Sequence, residues 1–311
     1  MEIFYVTHNG QKIDLMRGNY KIEESSLFSH AWDYDSKEKT SGYGGTIEKF
    51  RRDIENNDLK IHIEGAGSIS YKQAFDFLMD LFDLDVIENE AGKLWIDDRY
   101  IQCFITEGSP DYFVPGLDMA TYSFKTVSPY PFWIRETSYS FLPESGDPVT
   151  ILPGEEEPET EITLEKGIMF PGPPFDLTVR ESKKVKGMFD LPCDLKRVQG
   201  TRMINNESYL PCRFKMTIYG PVTDPEVVIA NHLYKVETTV FTGERLEIDS
   251  RTHSVKKIGR LGEETDLYNS RYKLQSAFEK IPPGRQTVTW PGGYGIDITL
   301  FDERSEPRWS L

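Results

Sequence analysis

The sequence predicts a mainly β protein of two domains, with one amphipathic helix in the N-terminal half. Its 311 residues are about two domains at roughly 150 residues each. Short runs in which apolar and polar residues alternate recur along the chain, and this is the period of half-buried strands. Turn residues separate these runs, and only one N-terminal stretch spaces its apolar residues as a helix does.

Composition and charge narrow the classes of function. Hydrophobic residues make up 38% of the chain and aromatic residues 13%, enough to fill two cores. The formal net charge is −15. Because binding to nucleic acid depends on Lys and Arg neutralising phosphates, we expect no specific nucleic-acid partner.

Cysteines and apolar runs predict the cellular setting. Cys103, Cys193 and Cys212 are too few and too scattered for a disulfide framework or a zinc site, and they suit a reducing cytoplasm. The first residues lack the pattern of a signal peptide, and no stretch approaches 18 apolar residues. We therefore expect neither classical secretion nor membrane insertion.

The N-terminus predicts a hairpin followed by a long loop. Residues 2–7 alternate, Asn9-Gly10 is typical of a type I′ turn with two left-handed residues, and residues 11–15 return. Residues 18–45 are polar and irregular with scattered aromatic residues. We interpret them as a long loop that packs against something, of the kind that is often interfacial.

A strand at residues 59–64 precedes the predicted helix at residues 71–86. Ser70 followed by Gln73 forms a capping box. Apolar residues then recur at helical spacing: Ala74, Phe77, Leu78, Leu81 and Phe82. Such a helix ordinarily covers its own sheet. The acidic residues between them, Asp76, Asp80 and Asp83, leave open a second contact with a neighbouring protein.

The rest of the N-terminal half predicts a second hairpin and a further strand. Residues 94–96 and 100–105 flank Asp97-Asp98, residues 119–127 alternate, and SPYPFW at residues 128–133 ends the unit. Residues 143–158 combine four prolines with acidic residues. We interpret them as an exposed connection, and the acidic run 155–161 as part of a solvated loop.

The C-terminal half predicts strands without helices. Residues 214–249 contain three alternating runs, through Phe214 to Ile218, through Val227 and Ile229, and through Val236 to Val240. Gly220-Pro221, Asp224-Pro225 and Thr242-Gly243 break them. Further strands are predicted at residues 162–164, 175–179, 272–278, 286–290 and 295–301. About eight short strands separated by turns are typical of a sandwich or jelly roll.

Candidate sites for chemistry each have an ordinary structural reading. GAGS at residues 65–68 lies between a strand and a helix, but it lacks a third glycine and a following parallel strand, so a flexible turn is favoured over a nucleotide site. His8, His30, His62, His232 and His253 never fall at metal-ligand spacing. Asp249, Arg251 and His253 share one strand face by spacing, which an outward-facing sheet produces routinely.

Catalytic signatures are weak throughout. The sequence has no G-x-S-x-G elbow, and no pair of carboxylates can be assigned from sequence to the two sides of a glycosidic bond. We therefore predict no enzyme, and we assign no catalytic residue, cofactor-binding residue or metal ligand.

An ordered series of motifs resembles the distal tail proteins of long-tailed, non-contractile bacteriophages. In the N-terminal half the series is hairpin, long loop, strand, helix, the GKLW hairpin at residues 92–95, and a strand leading into SPYPFW. The C-terminal motifs are IYGPVTDPEVVIANHLY (218–234), GERLEID (243–249), FEKIPPGRQTVTW (278–290) and DERSEPRW (302–309). The element IPPG before a strand, at residues 281–284, carries most of the resemblance.

The resemblance implies a hub in the tail tip of a phage or prophage. Residues 1–135 would form a β-sandwich or split-barrel-like domain that assembles as a hexameric ring, and residues 136–311 a peripheral galectin-like jelly-roll sandwich. Its implied partners are copies of itself, the tail tube protein, a tail-associated lysin or tail-tip protein, and receptor-binding proteins. Such a protein is made in the bacterial cytoplasm and ends in the virion. The family supplies no catalytic residues.

Two alternatives of other classes remain open at this point. A carbohydrate-binding adhesion module would recognise the host wall, although a galectin-like fold by itself does not make a lectin. Trp290, Tyr294 and Trp309 are the aromatic residues that a sugar would use, but packing within turns is favoured for them. The weakest alternative is a glycosidase that degrades the wall.

Overall fold

A computed structural model describes residues 1–39, 42–114, 116–143 and 200–307, and it confirms a mainly β protein. The chain divides into two units, Met1–Thr137 with Leu300–Leu311, and Ser138–Thr299. The sequence analysis divided the chain after residue 135 into two continuous domains, whereas here residues 300–311 group with the first unit. The strands predicted at residues 162–164 and 175–179, and residues 144–158 of the predicted connection, lie outside the described residues.

The first unit consists of strands and one helix. Its elements are β1 (Ile3–Val6), β2 (Lys12–Asp14), β3 (Tyr20–Ser25), β4 (Asp33–Glu38), β5 (Gly45–Arg51), β6 (Glu55–Glu64), α1 (Tyr71–Glu88), β7 (Gly92–Ile96), β8 (Arg99–Phe113) and most of β9 (Met119–Phe141). Its main sheet has the order β3-β6-β9-β8-β7-β1-β2. Within the described ranges, strands β4 and β5 pair with each other alone and form a separate ribbon.

Helix α1 covers this sheet as the sequence predicts. Ala74, Leu78, Leu81 and Phe82 are buried against strand residues such as Ile61. Strand β6 alternates strictly over its second half, where Leu59, Ile61 and Ile63 are buried. Phe77, although it belongs to the predicted apolar set, is exposed instead. The predicted capping box is present, because Ser70 Oγ accepts from the backbone N of Gln73 while the Gln73 side chain accepts from the backbone N of Ser70.

The capping box provides a stability prediction. Ser70→Ala removes an acceptor for a helix N–H that has no other intrahelical partner, so we expect a loss of about 1 kcal/mol in the free energy of unfolding of the first unit. Ser68→Ala, an exposed serine in the preceding turn, is the matched control and should change that value by less than about 0.5 kcal/mol. Chemical denaturation followed by circular dichroism measures both. Equal values for the two variants would contradict the assignment.

The first hairpin forms, but its turn differs from the prediction. Gly10 has a φ of +89°, whereas Asn9 does not adopt a positive φ, so the turn is not type I′. The Gly10 N–H donates to Thr7 O at 3.0 Å, and the Gln11 N–H donates to Thr7 Oγ1 at 3.0 Å. Hairpin loops of more than two residues commonly contain a single left-handed residue, here Gly10. The Thr7 hydroxyl stabilises this loop.

Two further N-terminal predictions need correction. Residues 18–45 are not an irregular loop, because they contain β3 and β4. The strand predicted at residues 119–127 is much longer than predicted, because β9 continues through SPYPFW for 23 residues in all. The register between β8 and β9 shifts on either side of the pair Gln102–Tyr130, and prolines are tolerated in strands where such bulges interrupt the ladder.

The second unit is built from two larger sheets and a small two-stranded one. Its elements are β10 (Gly200–Asn206), β11 (Arg213–Tyr219), β12 (Val222–Thr223), β13 (Glu226–Ile229), β14 (His232–Lys235), β15 (Thr239–Val240), β16 (Arg245–Asp249), β17 (Ser254–Ile258), β18 (Glu264–Asp266), a 3-10 helix (Tyr268–Ser270), β19 (Gly284–Trp290) and the first four residues of β20 (Ile296–Arg304). One sheet has the order β18-β17-β16-β11-β20, the next β10-β19-β13-β14, and the small one pairs β12 with β15.

Residues 214–249 form more strands than predicted. The first two alternating runs are β11 and β13, but only the end of the third, Thr239–Val240, is a strand (β15), and β14 and β16 are additional. The sequence analysis missed the tight turn between β13 and β14. Its two central residues, Ala230 and Asn231, both have a positive φ (51° and 63°), a conformation that alanine rarely adopts, so the sequence did not indicate a turn there. The strand predicted at residues 272–278 is wrong, since that stretch is irregular. The strands predicted at 286–290 and 295–301 are confirmed as β19 and β20.

Candidate assembly surfaces

Two partly open strand edges flank part of the first unit's sheet. Among the described residues, β3 pairs as a strand with β6 on one side, and on its other side the Ile22 N–H donates to Leu15 O at 2.9 Å, so this edge is open only in part. Strand β7 covers only the beginning of β8, as far as Cys103. Beyond that point β8 pairs with β9 alone, and its residues from Thr106 to Phe113 are all exposed. Bare edges of this kind are templates for pairing with another chain.

The ribbon β4–β5 is the second exposed feature. Every one of its residues is exposed, so it contributes nothing to either core. The sequence analysis missed it because an exposed ribbon has no buried face to impose alternation on the sequence. The sequence does contain one signal: the glycine-rich run GYGG at residues 42–45 is typical of a turn, and it stands directly before TIEKFR, which contains Ile47 and Phe50.

The end of the β8–β9 hairpin carries exposed apolar side chains. These are Tyr112, Phe113, Val114, Leu117 and Met119. The hairpin is tied to the start of α1, because Asp118 O accepts from Gly65 N at 3.0 Å and Asp118 Oδ1 accepts from Tyr71 N at 2.9 Å. A Cβ at Gly65 would lie 2.1 Å from Asp118 Oδ2, so a larger residue here would displace the Asp118 side chain. The GAGS segment is therefore a strand-to-helix turn, the favoured reading.

The outer face of α1 is acidic. Asp76, Asp80 and Asp83 are all exposed there, as their spacing predicts. Toward the end of the helix Asp85, in contrast, is fully buried. Asp85 accepts from Tyr5 Oη at 2.5 Å and from the backbone N of His8 at 3.0 Å, and the His8 ring Nδ1 lies 2.7 Å away.

This buried carboxylate shifts the titration of its partners. Burial, together with the hydrogen bond to Asp85, raises the pKa of Tyr5 far above its ordinary value. The hydrogen bond to Asp85 also raises the pKa of His8, and Glu88, 3.3 Å from Nε2, adds to the effect. Burial raises the pKa of the nearby Cys103 thiol to about 12, so this thiol stays protonated and unreactive.

A pH dependence follows for the first unit. Because the pKa of His8 is higher in the folded state than its ordinary value of 6.5, charged His8 stabilises the fold fully below about pH 6.5. That contribution is lost as the pH rises through the raised pKa. We expect the difference in Tm between the wild type and His8→Gln to be larger at pH 5.5 than at pH 9. A difference in Tm that stays constant over this range would contradict the assignment.

The candidate residues of the second unit do not form a reactive site. Asp249 ends β16, Arg251 lies in the turn that follows, and His253 has a φ of +53°, so the three do not share a strand face. Asp249 Oδ1 accepts from Arg251 N at 2.7 Å, which is the bond of a turn-stabilising aspartate. Trp290 is 1% exposed and Tyr294 5%, so both are packing residues. Trp309 lies outside the described residues.

The histidines are held by different partners. His30 approaches Glu306, His62 approaches Thr121, His232 contacts Ser276 O, and His253 lies against Phe278. Within the described ranges, no group of three or more His, Cys, Asp or Glu side chains is placed to hold a metal ion. Cys103 and Cys212 are buried, and the Cys212 thiol donates to Asn206 Oδ1 at 3.0 Å. In the same part of the chain, no helix is long and apolar enough to cross a bilayer.

The fold is that of hub proteins from phage tails. The chain is similar to the Dit protein of phage SPP1, described as a paradigm of the hub adsorption apparatus in phages that infect Gram-positive bacteria, with a TM-score of 0.55, 9% identity, and coverage of 97% of this chain and 99% of that one. It is also similar to a chain of the phage P2 baseplate in its activated conformation with Ca, with a TM-score of 0.54, 9% identity, and coverage of 98% and 99%.

A second P2 baseplate structure, with Sr, gives a TM-score of 0.55 at 10% identity and coverage of 98% and 99%. No protein-family model matches the chain, and no curated protein does. The resemblance to the distal tail proteins is thus confirmed in the fold, over nearly the whole length of the chain.

Proposed function

We propose that the chain is a structural protein of a phage or prophage tail tip, a distal tail hub that assembles as a closed hexameric ring and has no enzymatic activity. The similarity in fold to the SPP1 hub protein carries this proposal, because it extends over 97% of the chain and therefore includes both units. A hub of a non-contractile tail would contact the tail tube protein on one side. On the other side it would hold a tail-associated lysin or tail-tip protein and the receptor-binding proteins.

The two bare edges support ring assembly. A ring needs a heterologous contact, in which two different surfaces of the same chain meet and the rotation closes. The edge of β3 and the outer edge of β8 are two such surfaces, and they lie on opposite sides of the strand order β3-β6-β9-β8. Pairing β3 of one copy with β8 of the next would satisfy both edges.

Carbohydrate binding by the second unit is the alternative function. The buried positions of Trp290 and Tyr294 remove two of its three candidate aromatic residues. The galectin-like description of this unit stays a prediction, and the hub role does not depend on sugar binding.

Cysteine cross-linking tests the edge contact. Along the sheet of one chain β3 and β8 are three strand spacings apart, roughly 14 Å, too far for a disulfide, which needs Cα atoms about 4.4–6.8 Å apart. Glu23→Cys or Glu24→Cys is combined with Glu107→Cys or Ser109→Cys, with Cys193 replaced by serine throughout. We expect at least one combination to give a ladder of covalent oligomers that ends at six chains on a denaturing gel.

Matched controls separate edge pairing from random collision. Each single cysteine should give dimers at most, and Glu24→Cys with Lys72→Cys, an exposed helix residue away from the edges, should give no ladder. The absence of a ladder from all four edge combinations, in protein that light scattering shows to be a ring, would contradict the edge contact.

A further inference from the structure

The ribbon β4–β5 has one apolar face that is exposed in the part of the chain that the structure describes. Tyr34 pairs with Phe50 across the ribbon, and Ser36 pairs with Ile47. Because side chains alternate between the faces of a strand, these residues share one face. Tyr34, Phe50 and Ile47 are 58%, 56% and 48% exposed. An isolated two-stranded ribbon is only marginally stable in water, so a partner for this face would stabilise it.

The opposite face of the ribbon is charged and neutralises itself. Asp35 lies 3.5 Å from Arg51, and Lys37 lies 3.4 Å from Glu48. Such a face suits water and needs no partner. The ribbon is therefore amphipathic, with a solvent side and a docking side.

The root of the ribbon is fixed. The Arg52 side chain is only 2% exposed, and its guanidinium carbon lies 5.7 Å from the ring centre of Trp32 and 5.1 Å from that of Phe132. It also forms an ion pair with Glu55 and donates to Ser305 O at 3.4 Å. Because this guanidinium is held on several sides, the ribbon leaves the first unit in a set direction and is preorganised for docking.

A groove of about 560 Å³ lies at the other end of β6, between β2 and α1. Ile13, Ala74, Ile69 and Phe77 give it an apolar wall, and the last two are exposed. Arg17 stands at its rim, and its guanidinium lies 4.0 Å from the Glu2 carboxylate. The tip of the ribbon carries Glu38 on the same face as Tyr34, and no ion pair with Glu38 is recorded among the described residues.

The ribbon cannot reach the groove of its own chain. The ribbon begins beside Glu55, the first residue of β6. The groove lies at the other end of that strand, because it adjoins Tyr20, which pairs with Ile63. At about 3.3 Å per residue the ten residues of β6 span roughly 33 Å, and the seven of β5 only roughly 23 Å. Two complementary surfaces on one chain that cannot meet within it are the elements of a heterologous contact between copies.

We propose that the β4–β5 ribbon of one copy docks its Tyr34–Phe50–Ile47 face in the β2–α1 groove of a second copy, with Glu38 near Arg17. The proposal rests on the proposed function, because it names a contact that joins copies of the hub.

Apolar substitutions test the contact. Tyr34→Ser with Phe50→Ser should raise the concentration at which half of the full-length protein is assembled by about tenfold or more, as loss of a central aromatic pair does in interfaces. Phe77→Ser should act in the same direction from the groove side. Asp33→Ser, on the charged face of the same ribbon, is the matched control and should leave that concentration unchanged. Unchanged circular dichroism and Tm would show that all the variants fold.

A charge exchange tests the direction of docking. Glu38→Arg and Arg17→Glu should each weaken assembly roughly two- to fivefold, because each places like charges together. An equimolar mixture of the two variants should recover wild-type assembly, since in alternating copies every ribbon tip again meets a groove of opposite charge.

The outcomes separate this proposal from the proposed function. If the wild type forms no ring, the hub proposal fails and the docking contact with it. If the wild type forms a ring, and the Tyr34/Phe50 variant assembles at the same concentration, the ring stands and the docking proposal is overturned. The ribbon's partner would then be another tail protein.

Discussion

Asp302→Ala should lower the free energy of unfolding of the first unit by about 3–5 kcal/mol, because it leaves the buried Arg99 guanidinium without its counter-ion. Arg99 Nη2 donates to Asp302 Oδ2 at 2.5 Å, and Arg99 Nη1 donates to the Asp302 backbone O at 3.1 Å. Burial lowers the pKa of Arg99, as expected for a cation held away from water. Arg135 and Arg304, each 3.6 Å from Asp302 Oδ2, add to the positive charge that the substitution leaves behind.

The measurement must report on the first unit alone, because two-unit proteins need not unfold in one step. Hydrogen exchange of peptides from β8 gives that local free energy. Asp98→Ala is the matched control. Asp98 lies 3.7 Å from Arg135 but its side chain is 61% exposed, so its loss should cost less than about 1 kcal/mol. If Asp302→Ala costs no more than Asp98→Ala, this ion pair does not hold the C-terminal segment to the first unit.

Asp85→Ala should cost about 2–4 kcal/mol, because it leaves the buried Tyr5 hydroxyl and the His8 backbone N–H without their acceptor. The adjacent Gly92 shows how closely this site is packed, since a Cβ there would lie 2.1 Å from Tyr5 Oη and 2.5 Å from Asp85 Oδ2. Hydrogen exchange of β1 and α1 peptides measures the loss.

Two variants sharpen this second prediction. Asp83→Ala, an exposed acidic residue two positions earlier on the same helix, should change stability by less than about 0.5 kcal/mol. Tyr5→Phe with Asp85→Ala should cost less than the sum of the two single changes, because the double variant removes donor and acceptor together. Strict additivity would show that the two groups are not coupled.

Features with a local cause were predictable from the sequence. Helix α1 was predicted with its cap because Ser70 and Gln73 act within one turn of the chain. The alternation in β6 and the break at Asp97-Asp98 likewise reflect local rules, and the latter hairpin is confirmed with Asp97 at a φ of +52°. The resemblance to distal tail proteins added the fold of the whole chain.

Features that depend on distant partners were not predictable. Asp85 reads as an ordinary polar helix residue until β1 brings Tyr5 against it. The bare edges of β3 and β8 exist only because of which strands pair and where β7 ends. The ribbon escaped prediction because none of its residues is buried within one chain. If the apolar face of the ribbon docks on a second copy, Tyr34, Ile47 and Phe50 become buried only in the assembly, which the sequence of one chain does not reveal.

The mass of the purified full-length protein in solution tests the central claim most directly. Light scattering coupled to size exclusion, over a hundredfold range of concentration, should find one closed species of about 215 kDa, six times the 35.8 kDa of one chain, which does not grow as the concentration rises. A monomer at every concentration, or a mass that increases without limit, would contradict a hub built as a ring.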